Sequence, residues 1–213
     1  MTRFIRQTPC AVLLVVQFVG VLLYPILEDS LQSRQLFALF ALVVLSIVVF
    51  ALRATPAFTW IAGLLALPAV ALLVVQIATG NAELLIWASA FESLLYFYAA
   101  GAMLLYMLDD EVVTTDELFA IGAVFTLLAW AFAHTYVVVQ GLQPAAFGNA
   151  AEPRGWHDLL FLSFTTLSST GMSSFVPSTG YARSISMIEQ VTGIFYMAMV
   201  VTRLVNLRRR NRI

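Results

Sequence analysis

Residues 156–177 decide the fold and read WHDLLFLSFTTLSSTGMSSFVP. After Trp156, His157 and Asp158, an apolar run of about three helical turns reaches Leu167, and a small polar stretch follows. A helix of this length covers only about half of the hydrocarbon core of a bilayer. Backbone that is not helical survives at that depth only inside protein or beside water. The pattern therefore favours a re-entrant pore loop, and a surface loop after an interfacial helix is the alternative.

The rest of the chain has the composition of a membrane protein. Of 213 residues, 61% are hydrophobic and 11% are charged, whereas soluble domains carry about 25% charged residues. The charges are clustered, so they leave several uncharged stretches near or above the length that spans a bilayer. A net charge of −1 argues against nucleic acid as a partner. The single cysteine, Cys10, excludes an intramolecular disulfide and any multi-cysteine metal site.

The apolar runs and their polar flanks predict an all-α membrane fold with six transmembrane helices. The re-entrant pore helix and its filter loop lie between the fifth and sixth helices. A threonine cap followed by acidic residues, 114–117, predicts the start of the fifth helix. We predict a four-helix membrane domain at 1–112, a pore domain at 113–207 and a basic tail at 208–213. The predicted spans are about 9–27, 35–52, 58–78, 84–108, 118–140 and 181–205.

Orientation depends on arginine, because the chain has no lysine. With both termini cytoplasmic, the arginines of the termini and of the loop at Arg53 lie inside and outnumber the three outside, which are Arg34, Arg154 and Arg183. The sequence therefore predicts a multi-pass protein of the plasma membrane in this orientation. Arg203 and the tail arginines are expected to contact anionic lipid head groups.

Two ionisable residues are predicted to lie deep in the membrane. Glu92 is about eight residues, or about 12 Å, into the fourth span, where an ionisable group is costly and marks a candidate functional site. His134 lies at a similar depth in the fifth span. Two explanations stay open: the pair shares a proton or hydrogen bond, or a protonated Glu92 is satisfied by a backbone carbonyl or by Gln76. In the sixth span, Gly193 is predicted to bend the helix, with a packing glycine as the alternative.

The segment 158–205 resembles the pore domain of bacterial potassium channels. Its Asp158–Leu167, Val176-Pro177, Ala182-Arg183-Ser184 and later glycine are similar to family segments of the type D-x-L-Y-F-S-F, T-T-x-G-Y-G-D and A-R-S-x-x-M-x-E. The four preceding helices match six-helix members of that family only in layout.

The resemblance implies a pore-forming subunit that conducts monovalent cations, potassium or sodium or both. It implies no enzymatic activity, no cofactor and no metal beyond the permeant ion. One chain supplies a single half-helix, so a closed homotetramer is expected. Glu189 matches the family's glutamate behind the pore helix. The implied pore-helix residues are Asp158, Phe161, Phe164, Thr165 and Thr166, and the implied filter residues are Ser169, Thr170, Gly171, Met172, Ser173 and Ser174.

The filter departs from the family pattern. Aligned on Gly171, the chain has Met172 for the tyrosine, Ser173 for the second glycine and Ser174 for the aspartate. A left-handed φ at Ser173 would cost about 1–2 kcal/mol in each subunit, so we expect a wider or hydroxyl-lined outer half. The inner half, from Ser169, would keep carbonyl sites for the ion. Fewer sites predict weakened potassium selectivity.

Other functions remain as alternatives. One is a non-conducting or regulatory subunit derived from a channel, because the sequence alone does not show whether ions pass through the protein. A secondary transporter has less support, since only one broken segment is present rather than a matching pair. No serine–histidine–acid or metal-ligand constellation favours an enzyme. The fourth span has no basic residue between Glu83 and Leu108, which excludes strong voltage gating through that helix.

Overall fold

The computed structural model describes residues 9–27, 40, 43–44, 46–50, 59–109 and 115–210. The described residues contain helices and no strands, so the predicted all-α class is confirmed for them. Residues 46–50 are helical and fall within the second predicted span, most of which lies outside the described residues. The helices are α1 (Pro9–Leu27), α2 (Thr59–Thr79), α3 (Ala82–Asp109), α4 (Thr115–Leu142), α5 (Trp156–Leu167) and α6 (Gly180–Arg210).

Four of these helices are long and apolar enough to cross a membrane, which agrees with the composition of a membrane protein. They correspond to the third, fourth, fifth and sixth predicted spans, while the apolar part of α1 is shorter, Pro9–Leu23. By contrast, α5 has 12 residues and is too short to cross. The four spans are Thr59–Thr79, Glu83–Leu108, Asp116–Leu142 and Gly180–Val205.

The chain divides into two compact units, Met1–Leu128 and Ala129–Ile213, so that α4 contributes to both. In the first unit α2 packs against α3 after a tight turn at Gly80, and Asn81 caps the start of α3 by accepting the Glu83 N–H at 2.9 Å. The predicted domain boundary at 112/113 precedes α4 and stays a prediction.

Within the first unit, α1 and α4 run parallel. The backbone N–H of Cys10 donates to the Asp116 carboxylate at 3.1 Å, which places the first turns of both helices side by side. Further along, the Leu14 side chain packs directly on Gly122, where an added Cβ would lie 2.9 Å from a Leu14 methyl carbon. Both helices therefore begin on the same side and continue in the same direction.

In the second unit α5 packs against α6. A buried cluster fills the unit between the end of α4, the following loop, α5 and the start of α6. It consists of Tyr136, Val139, Ala146, Phe147, Leu159, Leu162 and Ala182.

The inward side of α6 is a narrow stripe. Its buried members are spaced alternately by four and three residues, as expected for one seam of a helix. The remaining surface of α6 is mostly apolar and exposed; Phe195, for example, is 68% exposed. The stripe consists of Ala182, Ser186, Glu189, Gly193, Tyr196 and Val200.

The contact between Cys10 and Asp116 yields a first testable prediction. The N–H groups of a first helical turn have no partner within the helix, and the Asp116 carboxylate satisfies one of them in α1. We expect Asp116→Ala to lower the stability of the purified protein by about 1 kcal/mol, because this N–H loses its acceptor. Thermal unfolding in detergent measures the effect. Asp116→Asn keeps an acceptor oxygen and is the control; equal losses in both variants would contradict this role.

Candidate functional site

The short helix α5 ends in a Schellman motif built from the predicted filter residues. Ser169 takes a left-handed conformation with φ 57°. Its N–H donates to the Thr166 carbonyl at 3.0 Å, and the Thr170 N–H donates to the Thr165 carbonyl at 2.9 Å. These are the two bonds of that motif, which usually has glycine at the left-handed position. A serine there costs about 1–2 kcal/mol, so the turn is held by its surroundings.

Hydroxyl groups add to this helix end. The Ser168 hydroxyl donates to the Phe164 carbonyl at 2.7 Å and lies 3.0 Å from the Thr170 hydroxyl. The Thr170 hydroxyl lies 3.3 Å from the Thr165 carbonyl oxygen. The last carbonyl groups of α5 therefore meet hydroxyls and amides of the same chain. The partial negative charge of a helix C-terminus lies at this place.

The rest of the filter segment, 169–174, is mostly exposed on the single chain. Gly171 is also left-handed, with φ 63°. Met172 is 73% exposed, so within its own chain it does not pack behind the segment.

Ser173 does not take a left-handed conformation. Among the described residues other than glycine, Ser169 alone has a positive φ. Beyond Gly171 the segment has no further glycine, and it follows the negative φ that L-residues prefer. Ser173 is half-buried, and its hydroxyl accepts the Phe175 N–H at 3.4 Å. The strain in this segment lies at its inner end, at Ser169, instead.

The predicted pore-helix residues all lie on α5, where they divide between two faces. Thr165 and Thr166 are buried in the unit, and Phe164 is half-buried. Phe161 and Asp158 are exposed, with Asp158 in the first turn, where its charge suits the positive end of the helix.

Glu189 is fully buried and joins three helices. Its carboxylate accepts hydrogen bonds from the Tyr136 hydroxyl of α4 and the Ser163 hydroxyl of α5. Tyr136 also lies 2.9 Å from the hydroxyl of Ser186, one turn earlier on α6. The Ser163 oxygen is 2.8 Å from the Ala129 carbonyl oxygen. A buried carboxylate needs such partners, and these ones hold α5 between α4 and α6.

Gly193 lies directly against the end of α5. A Cβ added to Gly193 would lie 1.9 Å from the Leu167 carbonyl oxygen and 2.8 Å from its carbonyl carbon. Only a residue without a side chain permits this approach, because the neighbour is backbone and does not move aside. Helix α6 continues through Gly193 without interruption. This close contact supports the interpretation of Gly193 as a packing glycine, while the predicted bend of α6 stays a prediction.

The other two candidate residues are buried in separate units. Glu92 lies on a face of α3 that also buries Ser89, Ser93 and Tyr96. His134 lies 5.7 Å from the ring of Trp156, measured between ring centroids. The two explanations for Glu92, an interaction with His134 and a protonated carboxyl satisfied by a backbone carbonyl or Gln76, both stay predictions.

Comparison with known proteins identifies the family. A family model described as ion channel matches residues 93–209, which is more than half of the chain and includes α5, the filter segment and α6. The chain belongs to this ion channel family. The potassium-channel-like resemblance is thereby confirmed, and the match begins within α3. No curated protein and no solved structure gives a significant match.

Three residues that position the channel's short helix were not predicted as site residues. They are Tyr136, Ser163 and Ser186, which surround Glu189. One signal was available, since a carboxylate deep in a membrane protein requires hydrogen-bond donors on the facing helices. Which hydroxyls provide them follows only from packing, because Tyr136 is 53 residues from Glu189 along the chain.

Removing the Glu189 carboxylate tests its role in this ion channel. Glu189→Ala removes the carboxylate that accepts from Tyr136 and Ser163 and leaves a cavity between three helices, and we expect a loss of about 1–3 kcal/mol in stability. Thermal unfolding in detergent measures it, with Gln190→Ala as the control, because Gln190 is the exposed neighbour on α6. Glu189→Gln keeps an acceptor oxygen and should lose less. Equal stability of the Glu189→Ala and Gln190→Ala variants would contradict the network.

Gly193 provides a second test of the contact between α5 and α6. In Gly193→Ala the new methyl group meets the Leu167 carbonyl, so we expect a loss of about 1–3 kcal/mol. Gly180→Ala is the matched control on the same helix, because its Cβ meets nothing within 4 Å. Unfolding temperatures of the two variants are compared in one detergent. If Gly193→Ala is as stable as Gly180→Ala, the close approach has no energetic role.

Proposed function

We propose that the chain is the pore-forming subunit of a homotetrameric cation channel in the plasma membrane, with weakened potassium selectivity. One observation carries the proposal. A helix too short to cross the membrane ends beside α6, and an exposed, hydroxyl-rich segment at 169–174 continues from it within the ion channel family match. Backbone at this place requires protein or water around it, and an ion pathway provides both.

Assembly into a ring follows from the shape of one chain. A single α5 and one filter segment do not enclose a pathway, so several copies are needed around an axis. The exposed filter segment and the exposed apolar side of α6 are the surfaces available for neighbouring copies and for lipid. Four copies correspond to the assembly implied by the potassium-channel-like resemblance.

The end of α5 supports a cation as the permeant ion. A helix C-terminus carries about half a negative charge, and carbonyl and hydroxyl oxygens from Phe164 to Thr170 concentrate there. Hard monovalent cations such as potassium and sodium are coordinated by such oxygens. This arrangement favours cations over anions.

Weakened selectivity is supported by the backbone of the filter segment. Left-handed φ values occur at Ser169 and Gly171. Such alternation turns the N–H groups to one side of the chain, here onto the α5 carbonyls, and the carbonyl oxygens to the other side. The alternation ends before Ser173. Carbonyl coordination is therefore proposed for the inner half of the filter, with a wider or hydroxyl-lined outer half that discriminates less between potassium and sodium.

Six crossings with both termini cytoplasmic complete the proposal. Parallel packing of α1 and α4 requires an odd number of crossings between them. Helices α2 and α3 supply two, and the helical residues 46–50 fall in the remaining predicted span. The arginine distribution then supports a cytoplasmic start of α1 and contact of the basic tail with anionic lipid head groups.

Single-channel recording tests this function directly. Purified protein in planar bilayers, with sodium on one side and potassium on the other, should give currents that reverse near zero voltage. Met172→Tyr combined with Ser173→Gly should move the reversal toward potassium, because glycine restores the left-handed conformation at position 173. Ser178→Gly makes the same change outside the filter and is the control.

Two outcomes would contradict parts of the proposal. Strong potassium selectivity of the unmodified protein would contradict the weakened filter while leaving the channel function. The absence of current at every polarity and pH would favour the non-conducting or regulatory subunit.

A further inference from the structure

Arg154 lies in the loop between α4 and α5, and its backbone is held by the end of α4. The Arg154 N–H donates to the side-chain oxygen of Gln140 at 2.9 Å, and the Gln140 side-chain amide donates to the Arg154 carbonyl at 2.9 Å. This two-point pairing fixes the position and direction of the arginine.

The Arg154 side chain links the loop to the segment that follows the filter. Its Nε donates to the Phe147 carbonyl at 3.2 Å. Its Cζ lies 4.8 Å from the centroid of the Phe175 ring, a cation–π distance. Phe175 directly follows Ser174, and its N–H donates to the Ser173 hydroxyl. The guanidinium thus reaches the outer half of the filter through one aromatic ring.

The loop around Arg154 is shaped for this side chain. Gly148 has φ 140°, and a Cβ there would lie 3.2 Å from Nη2 of Arg154. The adjoining Phe147 is buried and packs edge-on against Tyr136, with 5.0 Å between ring centroids. A residue with a side chain at position 148 would be strained and would crowd the guanidinium.

The segment 172–177 depends on such side-chain contacts. Within the part of the chain that the structure describes, it forms no backbone–backbone hydrogen bond; the nearest are the Gly171 N–H to the Thr165 carbonyl and the Ser178 N–H to the Ala146 carbonyl. Side chains hold it between these points. They include Arg154 on Phe175 and Arg183, whose Nε donates to the Pro177 carbonyl at 3.1 Å.

We propose that Arg154 is a positioning residue that sets the selectivity of the outer filter by holding Phe175, an inference that rests on the proposed channel function. Arginine suits this role because its planar guanidinium stacks on a ring while its Nε–H donates to a carbonyl. Lysine has the charge without this geometry. If Arg154 acted on cations only through its positive charge, lysine would preserve the effect. If Arg154 acts by holding Phe175, lysine does not preserve it.

The experiment compares Arg154→Lys, Arg154→Gln, Phe175→Leu and the double variant Arg154→Lys/Phe175→Leu. Two quantities are measured on protein that elutes like the unmodified channel: hydrogen exchange at the bonded amides of residues 175 and 178, and the sodium-to-potassium permeability ratio from reversal potentials. Phe195→Leu makes the same aromatic change at an exposed position on α6 and is the control.

All three single variants at Arg154 and Phe175 should speed exchange at the amides of residues 175 and 178 by about threefold or more, the scale of one exposed cation–π contact. They should also shift the permeability ratio. The double variant should add little to either single variant, because both remove the same contact. Phe195→Leu should change neither quantity.

Three results would overturn the proposal. The first is unchanged exchange in the Arg154 variants. The second is faster exchange with an unchanged permeability ratio. The third is normal behaviour of Arg154→Lys beside an altered Arg154→Gln, which would indicate a charge effect. If the unmodified protein carries no current, the proposed function fails, while hydrogen exchange still decides whether Arg154 holds the segment.

Discussion

The second unit depends on the place where α5 ends. The last carbonyl groups of a helix have no partner within the helix, and each needs a donor from elsewhere. Ser169 and Thr170 satisfy two of them through the Schellman motif, and the Ser168 hydroxyl contributes a third contact. The filter segment begins with these same residues. The conformation of its first residues is therefore set by the hydrogen bonds at the end of α5, independently of any bound ion.

Helix α6 fits closely against the end of α5. Glu189 and Gly193 lie one turn apart on the buried stripe of α6 and meet α5 in opposite ways. Glu189 accepts a hydrogen bond from Ser163 in the middle of α5. Because Gly193 has no side chain, the Leu167 carbonyl at the end of α5 fits directly against the backbone of α6. The hydrogen bond from Ser163 fixes where the middle of α5 lies against α6, and the contact with Gly193 fixes where the end of α5 lies. A mismatch at either would displace the start of the filter.

The sequence predicted the short helix and the polar segment after it, because length and polarity are local properties that a bilayer constrains strongly. It also placed Glu189 on the sixth helix through the resemblance. The partners of Glu189 were not predictable, since Tyr136 and Ser163 come near it only through tertiary packing. The sequence indicated that Ser173 would disfavour a left-handed conformation, but it did not show that the C-terminal turn of α5 requires one at Ser169.

The two halves of the filter segment are consequently held by different means. Residues 169–171 are bonded to the end of α5 through their backbone, so their conformation tolerates many changes elsewhere. Residues 172–177 lack such bonds among the described residues and depend on Arg154, Arg183 and the Ser173 hydroxyl. Side-chain contacts of this kind are individually weak, about 1 kcal/mol each. Residues 172–177 are therefore the part of the segment whose geometry would be altered most readily by substitutions elsewhere in the chain.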